Sequence, residues 1–303
     1  MGCGRWVVPA LMAALMATGP AIAAVVFDTV SPYHHIRVID QQGMRTLSFD
    51  GSLETRMSLR EPLQGHFEYI DYFHMPWLWR SDMTNVLMVG LGGGSIQRSY
   101  RHYYPEVNVA TVEIDPTVVQ VARDYFQLKE SPALQVHVSD GRVYLRRTSA
   151  KYDAIIMDAY VKNRYGSFIP YHLATREFFQ VAGDHLTENG VLAYNVIGSL
   201  QGMRADIVGA VYKTLNSVFP RVYLFPARET YNVVFIATKS PQATTPAMLQ
   251  QRVEVLAKKG RLKLPGFRNC LLSFRAEPPP TAARSPILTD DFAPIDGLLS
   301  RAQ

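Results

Sequence analysis

The sequence predicts an α/β fold whose mostly parallel sheet is covered by helices on both faces. Short apolar runs alternate with helical segments from residue 85 onward, the spacing of strand–helix–strand units. A glycine cluster follows the first of these runs, and acidic residues follow the next three. Before residue 60, short alternating segments separated by turn residues predict a small antiparallel β domain. The expected class is a Rossmann-like, doubly wound sheet preceded by this N-terminal β domain.

The 303 residues divide into four expected parts. Residues 1–23 form a signal peptide, and residues 24–80 form a β-hairpin region with a linking helix. Residues 81–240 form the Rossmann-like nucleotide-binding domain, and residues 241–303 form a C-terminal helix and tail. Each of the first two boundaries follows a change in composition or in hydrophobic periodicity.

The N-terminal segment has the order of features that is typical of a secretory signal. Arg5 supplies a positive charge, residues 6–18 are apolar and uncharged, and Ala21 and Ala23 form an A-x-A cleavage pattern. We therefore expect export to the periplasm. Continuing the apolar stretch through Val26 would give a marginal membrane span, so an uncleaved inner-membrane anchor is the alternative.

Composition excludes several classes of function. The formal net charge is +5, but Lys and Arg are scattered, which argues against nucleic-acid binding and leaves weak membrane association open. Cys3 and Cys270 lie in no metal-ligand spacing, and the histidines show no metal pattern either. We therefore expect no metal site.

The first elements are short strands followed by an aromatic helix. Asp50-Gly51 is a strong hairpin signal between two alternating segments. Residues 62–79 predict a helix whose buried face is formed by aromatic and aliphatic residues at a spacing of three or four, namely Phe67, Ile70, Phe73 and Trp77. Tyr69 and Asp71 fall outside that stripe and are expected to face a cleft.

The remaining elements alternate. Strands are predicted at residues 85–89, 107–112, 134–138, 152–157, 190–196, 222–225 and 233–238. Helices are predicted at residues 116–126, 175–186, 205–218 and 246–259. The last two strands are expected to pair with each other.

Glycines follow the first buried strand directly. The loop Gly90-Leu91-Gly92-Gly93-Gly94 lets the backbone turn tightly and approach a ligand at a helix N-terminus. Gly90, Gly92 and Gly94 are therefore candidate cofactor-binding residues. Glu113 ends the next strand, where an acidic side chain can bind the hydroxyls of a ribose.

Two further carboxylates end the following strands. Asp140 follows the third strand and Asp158 the fourth. Each could merely cap a turn or helix, which is a common role of Asp. Since the carboxyl ends of parallel strands meet at one edge of a sheet, we instead expect Glu113, Asp140 and Asp158 to converge on one ligand pocket.

These motifs together resemble those of the spermidine synthases, the polyamine aminopropyltransferases, and most closely the spermidine synthase-like domains found alone or fused to transporter segments. The motifs that carry the resemblance are Val112-Glu113-Ile114-Asp115-Pro116, Ser139-Asp140-Gly141-Arg142 and Tyr152-Asp153-Ala154-Ile155-Ile156-Met157-Asp158. The resemblance implies an S-adenosyl sulfonium co-substrate, with Glu113 on its ribose and Asp140 on its adenine. It implies that Asp158 is catalytic and helps to deprotonate an attacking amine.

The resemblance further implies a small-molecule amine substrate, bound by Tyr69, Asp71 and Tyr160, and a homodimer. Two positions depart from the family pattern. Gly93 replaces an aspartate that binds the amino group of decarboxylated S-adenosylmethionine, and Val161 replaces a second aspartate near the catalytic one. Both changes remove an anion that would pair with an ammonium group.

Three functions follow from these features. The first is aminopropyl transfer from decarboxylated S-adenosylmethionine to an amine, as in polyamine biosynthesis. The second is methyl transfer from S-adenosylmethionine, because the loss of an acidic residue at Gly93 suits a cofactor that keeps its carboxylate. The third is a non-catalytic binding protein of the bacterial envelope, suggested by the export signal.

Overall fold

The computed structural model describes residues 23–163 and 166–300. Its N-terminal part is a four-stranded antiparallel sheet in the order β1-β2-β3-β4. The strands are β1 (Ala24–Val30), β2 (His35–Gln41), β3 (Met44–Phe49) and β4 (Ser52–Ser58). Asp50 and Gly51 join β3 to β4, and both have positive φ, as a type I′ hairpin turn requires. The predicted hairpin is confirmed.

The expected signal peptide lies, up to residue 22, outside the described residues. Within residues 23–163 and 166–300, no helix is both long and apolar enough to cross a bilayer.

The aromatic segment that follows β4 differs from the expected helix. It contains one short helix, α1 (Tyr69–Tyr72), and then a 3₁₀ turn (Met75–Leu78). Pro76 has no N–H to donate and its ring crowds the preceding turn, so a continuous α-helix through this segment is unfavourable. Ile70, Phe73 and Trp77 are nevertheless buried as expected, because the shorter turns still point them into the core.

The rest of the chain forms the predicted alternation of strands and helices, ending with the antiparallel pair β12 and β13. The strands are β5 (Asn85–Val89), β6 (Asn108–Glu113), β7 (Leu134–Val138), β8 (Tyr152–Met157), β9 (Val161–Asn163), β10 (Gly166–Phe168), β11 (Leu186–Ile197), β12 (Arg221–Pro226) and β13 (Asn232–Thr238). The helices are α2 (Ser95–Tyr103), α3 (Pro116–Tyr125), α4 (Gly141–Arg147), α5 (Arg176–Asp184), α6 (Ala205–Asn216), α7 (Pro246–Lys258), α8 (Phe267–Cys270) and α9 (Ile295–Ser300). The sequence did not predict α4 or the small hairpin β9–β10.

The main sheet has the order β12-β13-β11-β8-β5-β6-β7 among the described residues. The five neighbouring strands β11, β8, β5, β6 and β7 are parallel, and β13 is antiparallel to both of its neighbours. After β5 the chain forms β6 and then β7 on one side of β5, whereas after β8 it forms β11 on the opposite side of the sheet. The order of strands therefore reverses between β5 and β8, and α/β sheets bind ligands at such a point.

Helices cover both faces of this sheet, which confirms the doubly wound class. Val86 and Met88 of β5 face one hydrophobic cluster, and Leu87 and Val89 face the other. Both sides of the strand are thus buried, as its uninterrupted apolar run predicts.

The N-terminal sheet packs against α3. Its apolar face shares a hydrophobic cluster with Val118, Val121 and Phe126. Arg45 reinforces this contact by donating a hydrogen bond from Nη1 to the Tyr125 carbonyl oxygen, 2.8 Å away. The packing places β4 beside the glycine loop that follows β5.

Asp153 connects the amino ends of β8 and β5. Its buried carboxylate accepts hydrogen bonds from the backbone N–H groups of Thr84 (2.8 Å) and Asn85 (3.2 Å). It also accepts one from Arg80 Nε at 3.2 Å. The same guanidinium pairs with the exposed Asp82 at 3.3 Å.

We predict that Asp153→Ala lowers the free energy of unfolding by about 3 kcal/mol, because it leaves buried donors without an acceptor. Asp82→Ala, which removes the exposed partner of the same arginine, should cost less than about 0.5 kcal/mol. Urea denaturation of both variants measures the difference. Equal losses in the two variants would show that the buried network does not stabilise the sheet.

Candidate functional site

A cavity of about 430 Å³ opens at the carboxyl edge of the main sheet, where β5 and β8 end. One wall is formed by the glycine loop after β5 and by Asp158 after β8. Leu53, Glu54 and Thr55 of β4 line it from the N-terminal sheet. The volume is within the range of small-molecule sites, and the location is the point where the strand order reverses.

The glycine loop needs its first glycine for two reasons. Gly90 has a φ of +97°, which disfavours other residues, and a Cβ atom there would overlap the carbonyl oxygen of Asp158. Gly92, with a φ of +51°, also lines the cavity. Gly94 is in the left-handed region immediately before α2, behind the cavity wall, so the structure does not bring this candidate to the cavity.

Glu113 is half-buried in the cavity wall at the end of β6. Its carboxylate accepts hydrogen bonds from the backbone N–H groups of Leu91 (3.0 Å) and Asp115 (2.9 Å). Desolvation raises the pKa of Glu113 to about 7. Because a carboxylate has about four acceptor positions, Glu113 can fix the glycine loop and also accept from ligand hydroxyls.

Asp140 caps the N-terminus of α4 and also lines the cavity, so a capping role and a ligand-binding role are compatible. It accepts a hydrogen bond from the backbone N–H of Val143, 2.9 Å away, at the start of α4. His172 Nε2 donates to its other carboxylate oxygen at 2.8 Å. The hydrogen bond from His172 keeps the pKa of Asp140 below its ordinary value.

Asp158 is half-buried in the cavity, where two side chains donate to its carboxylate. Asn195 Nδ2 lies 2.8 Å from Oδ1, and the Tyr69 hydroxyl lies 3.2 Å from Oδ2. Asn232 Nδ2 in turn donates to Asn195 Oδ1 at 3.1 Å, so residues from β11 and β13 orient the carboxylate. Desolvation raises the pKa of Asp158 to about 6, although both hydrogen bonds lower it.

Tyr69 and Tyr160 both line the cavity. Burial raises the pKa of each hydroxyl well above its ordinary value, so both remain protonated donors. The Tyr160 hydroxyl donates to the Asn195 carbonyl oxygen (2.8 Å) and accepts from the Ile197 N–H (2.9 Å). Tyr160 therefore offers its ring, rather than its hydroxyl, to a ligand.

The structure does not bring Asp71 to this cavity. Asp71 lies in a separate surface depression, where it accepts a hydrogen bond from His66 Nε2 at 2.9 Å. In α1 it is two residues from Tyr69, and side chains at that spacing point in different directions. The structure therefore places Tyr69 in the cavity and Asp71, the other residue of that expectation, outside it.

The structure shows what surrounds Gly93 and Val161, the two positions that depart from the family pattern. A Cβ atom at Gly93 would lie 2.7 Å from Thr55 Cγ2 and 2.8 Å from Phe126 Cδ1, so a side chain does not fit there. The Gly93 N–H donates to Thr55 Oγ1 at 2.9 Å. Val161 begins β9 and lines the cavity with an apolar surface.

Sequence reasoning missed Glu54, which is half-buried in the cavity. Burial and the nearby Asp158 charge raise the pKa of Glu54 to about 7. In sequence, Glu54 is one polar residue of a short alternating strand, and such residues usually face solvent. Only the packing of β4 against the glycine loop places it in the cavity.

The comparisons with known proteins agree with this geometry. The sequence model of the family described as the spermine/spermidine synthase domain matches residues 67–245, more than half of the chain. The chain belongs to the spermine/spermidine synthase family. A polyamine aminopropyltransferase from Vibrio vulnificus is 31% identical over 286 residues, covering 90% of this chain and 91% of the relative. As a family member the chain is a transferase.

Solved structures support the fold of this spermine/spermidine synthase family member. A probable spermidine synthase from Corynebacterium glutamicum gives a TM-score of 0.63 at 16% identity, covering 79% of this chain and 95% of that one. Human methyltransferase-like protein 13, solved in complex with SAH, gives a TM-score of 0.55 at 24% identity, covering 65% of this chain and 91% of that one. The family fold is therefore shared with a methyltransferase.

Within residues 23–163 and 166–300, no group of three or more His, Cys, Asp or Glu side chains could hold a metal ion. The carboxylates of the cavity are instead held by protein N–H and hydroxyl donors, as described for Glu113, Asp140 and Asp158.

We predict that Glu54→Gln stabilises this spermine/spermidine synthase family member at high pH only. A raised pKa means that the native state keeps a proton that the unfolded state releases, so stability falls as pH rises from the ordinary pKa to about 7. The neutral glutamine avoids this loss. At about pH 8 the free energy of unfolding of the variant should exceed that of the wild type by about 2 kcal/mol, which raises the unfolding temperature by roughly 4 °C. At about pH 4 the two should be equally stable.

Thermal unfolding at both pH values checks this prediction. Glu188→Gln, which makes the same change at an exposed position, should have no effect at either pH. A Glu54→Gln unfolding temperature equal to that of the wild type at high pH would show that the Glu54 carboxylate is not destabilised by burial.

Proposed function

We propose that this chain transfers an aminopropyl group from decarboxylated S-adenosylmethionine to an amine. The observation that carries the proposal is the convergence of Glu113, Asp140 and Asp158 on one cavity at the reversal of the strand order. Each carboxylate follows a different parallel strand. The spermine/spermidine synthase family and the polyamine aminopropyltransferase relative support this choice of reaction.

Two of the carboxylates suit the adenosine of the co-substrate. Glu113 has the capacity to accept from the ribose hydroxyls, since its backbone partners do not use every acceptor position. Asp140 is oriented by Val143 and His172 and can accept from the adenine amino group. The absence of a side chain at Gly90 lets the glycine loop lie close to the backbone of Asp158 in the same cavity.

Asp158 suits the chemical step. The acceptor nitrogen must lose a proton before its lone pair attacks the methylene carbon next to the sulfonium. As the new C–N bond forms, the C–S bond breaks and its electron pair returns to sulfur, leaving the neutral thioether methylthioadenosine. Asp158, with a pKa of about 6, can take the proton near neutral pH, and Asn195 and Tyr69 hold its carboxylate in place.

A methyl transfer from intact S-adenosylmethionine is the second candidate. It is favoured by Gly93, where no carboxylate is present to bind the amino group of the decarboxylated form. It is disfavoured by Glu54, because this cavity carboxylate would repel the carboxylate of the intact cofactor. A preference for intact S-adenosylmethionine over the decarboxylated form in binding and turnover would replace our proposal with this one.

We predict that Asp158→Asn lowers kcat for aminopropyl transfer by roughly 100-fold or more, the usual contribution of a general base. Binding of methylthioadenosine should change little, because the amide keeps the shape of the carboxylate. In the wild type, kcat should rise with pH through about 6, since only the ionised Asp158 accepts a proton, and the variant should lose this step.

Mass-spectrometric detection of the aminopropylated amine, with calorimetry for methylthioadenosine, measures both effects. Asp71→Asn is the matched control, because the structure places Asp71 outside the cavity. Full activity of Asp158→Asn would contradict the assignment of Asp158 as the base. Loss of activity in Asp71→Asn would contradict its exclusion from the site.

We propose further that the N-terminal segment directs export to the periplasm, with a retained inner-membrane anchor as the alternative. The order of Arg5, the apolar run at residues 6–18 and the Ala21/Ala23 pattern supports this proposal. Cell fractionation with mass determination of the N-terminus distinguishes a cleaved periplasmic form from an anchored one. A full-length cytosolic protein would contradict both.

A further inference from the structure

Asp290 is a carboxylate that lies outside the cavity and is joined to it by a chain of hydrogen bonds. It lies in a tight turn in which Thr289 and Phe292 exchange backbone hydrogen bonds of 2.9 and 3.1 Å. The residue follows the segment 67–245 that the family model matches, and it is not part of the cavity lining. Neither the family comparison nor the proposed reaction gives it a role.

Asp290 binds Arg142 with both carboxylate oxygens. Arg142 Nη1 donates to Oδ1 at 2.7 Å and Nη2 donates to Oδ2 at 2.6 Å, the paired geometry that suits two planar groups. The Thr175 hydroxyl also donates to Oδ1, at 2.7 Å. The hydrogen bonds from Arg142 lower the pKa of Asp290 to about 2, so the carboxylate is ionised near neutral pH.

The two partners of Asp290 hold the segment that carries His172. Arg142 belongs to α4 and donates from Nη1 to the His172 carbonyl oxygen at 3.2 Å. Thr175 ends this segment, where its hydroxyl caps α5 by accepting from the Phe178 N–H at 3.3 Å. The backbone around His172 is therefore fixed between α4 and α5 by two residues that Asp290 binds.

The turn that contains Asp290 is anchored independently of the cavity. The buried Leu288 accepts from the Arg176 N–H at 2.8 Å and donates its own N–H to the Thr214 hydroxyl at 2.9 Å. The Asp290 N–H donates to the Glu177 carboxylate at 3.0 Å. The position of Asp290 is thus set by α5 and α6, which makes it a firm support for Arg142.

His172 connects this support to Asp140. The His172 Nε2 donates to Asp140 Oδ2 at 2.8 Å, and the Val143 N–H donates to Oδ1 at 2.9 Å. One donor on each oxygen fixes the plane of the carboxylate and leaves acceptor positions free for a ligand. Val143 is held by α4, whereas His172 lies in a single 3₁₀ turn, which needs contacts from elsewhere to keep its place.

We propose that Asp290 is a positioning residue, which acts through Arg142 and His172 to orient the Asp140 carboxylate toward the adenine amino group. This inference rests on the adenosyl co-substrate of the proposed function. Asp290 contacts neither the co-substrate nor the amine, and it takes no part in the transfer of the proton or of the aminopropyl group. It therefore affects the binding of the co-substrate and not the chemical step at Asp158.

Methylthioadenosine and its 6-deamino analogue, in which purine replaces adenine, test this role. The wild type should bind methylthioadenosine roughly 10- to 100-fold more tightly than the analogue, the value of one hydrogen bond to a charged group. Asp290→Ala should reduce this preference to less than about 3-fold by weakening the binding of methylthioadenosine alone. Calorimetry of both ligands measures the preference. Equal weakening of the two ligands would show a merely structural role and overturn the inference.

Steady-state kinetics provide a second measurement. Asp290→Ala should raise the KM for decarboxylated S-adenosylmethionine by roughly 10-fold and leave kcat within about 2-fold of the wild type. Asp291→Ala is the matched control, because Asp291 is the exposed neighbour of Asp290 in the same turn. It should keep both the ligand preference and the KM. A loss in Asp290→Ala that appears in kcat alone would contradict a positioning role at Asp140.

A double-mutant cycle with His172→Ala tests the route of the effect. If Asp290 acts through His172, the double variant should lose no more of the ligand preference than His172→Ala alone. Losses that multiply would overturn the inference. Arg142→Gln removes the same contact from its other end, so it should reduce the preference as Asp290→Ala does, even if the latter variant does not fold. A full preference in Arg142→Gln would contradict the proposed route.

The ligand preference and the transfer reaction separate the two proposals. A wild type that transfers the aminopropyl group, with an Asp290→Ala variant of unchanged preference, would overturn this inference and leave the proposed function intact. A preference that falls in Asp290→Ala, with no transfer to any amine, would support the positioning role and contradict aminopropyl transfer. A wild type that binds neither ligand would overturn both.

Discussion

The site depends on keeping the carboxylate of Asp158 ionisable in a cavity where burial disfavours its charge. Two hydrogen bonds, from Asn195 and Tyr69, offset part of the desolvation penalty, and Asn232 fixes the orientation of Asn195. These partners come from β11, β13 and α1, so the geometry exists only when the main sheet and the segment before it are assembled. The resulting pKa of about 6 is well suited to a base that works near neutral pH.

Much of this arrangement could be predicted from the sequence, because it follows from parallel strands. The apolar runs identified the strands, and the parallel order places the residues that follow them at one edge. Glu113, Asp140 and Asp158 could therefore be brought together by reasoning about the order of elements alone. Gly90 could be singled out because it follows a buried strand directly, although its close approach to Asp158 could not be foreseen.

The remaining features depend on packing between elements that are distant in the chain. Glu54 faces the cavity because β4 packs beside the glycine loop, and no local pattern reports that contact. Asp71 was misplaced because it lies two residues from Tyr69 in the same helical turn, where side chains point in different directions.

The central claim is that one adenosine contacts the carboxylates after β6, β7 and β8 together. A crystal structure of the complex with methylthioadenosine tests it most directly. We expect the ribose hydroxyls on Glu113, the adenine amino group near Asp140 and the sulfur beside Asp158. A ligand bound elsewhere, or one that leaves Glu113 and Asp140 without contacts, would contradict the account.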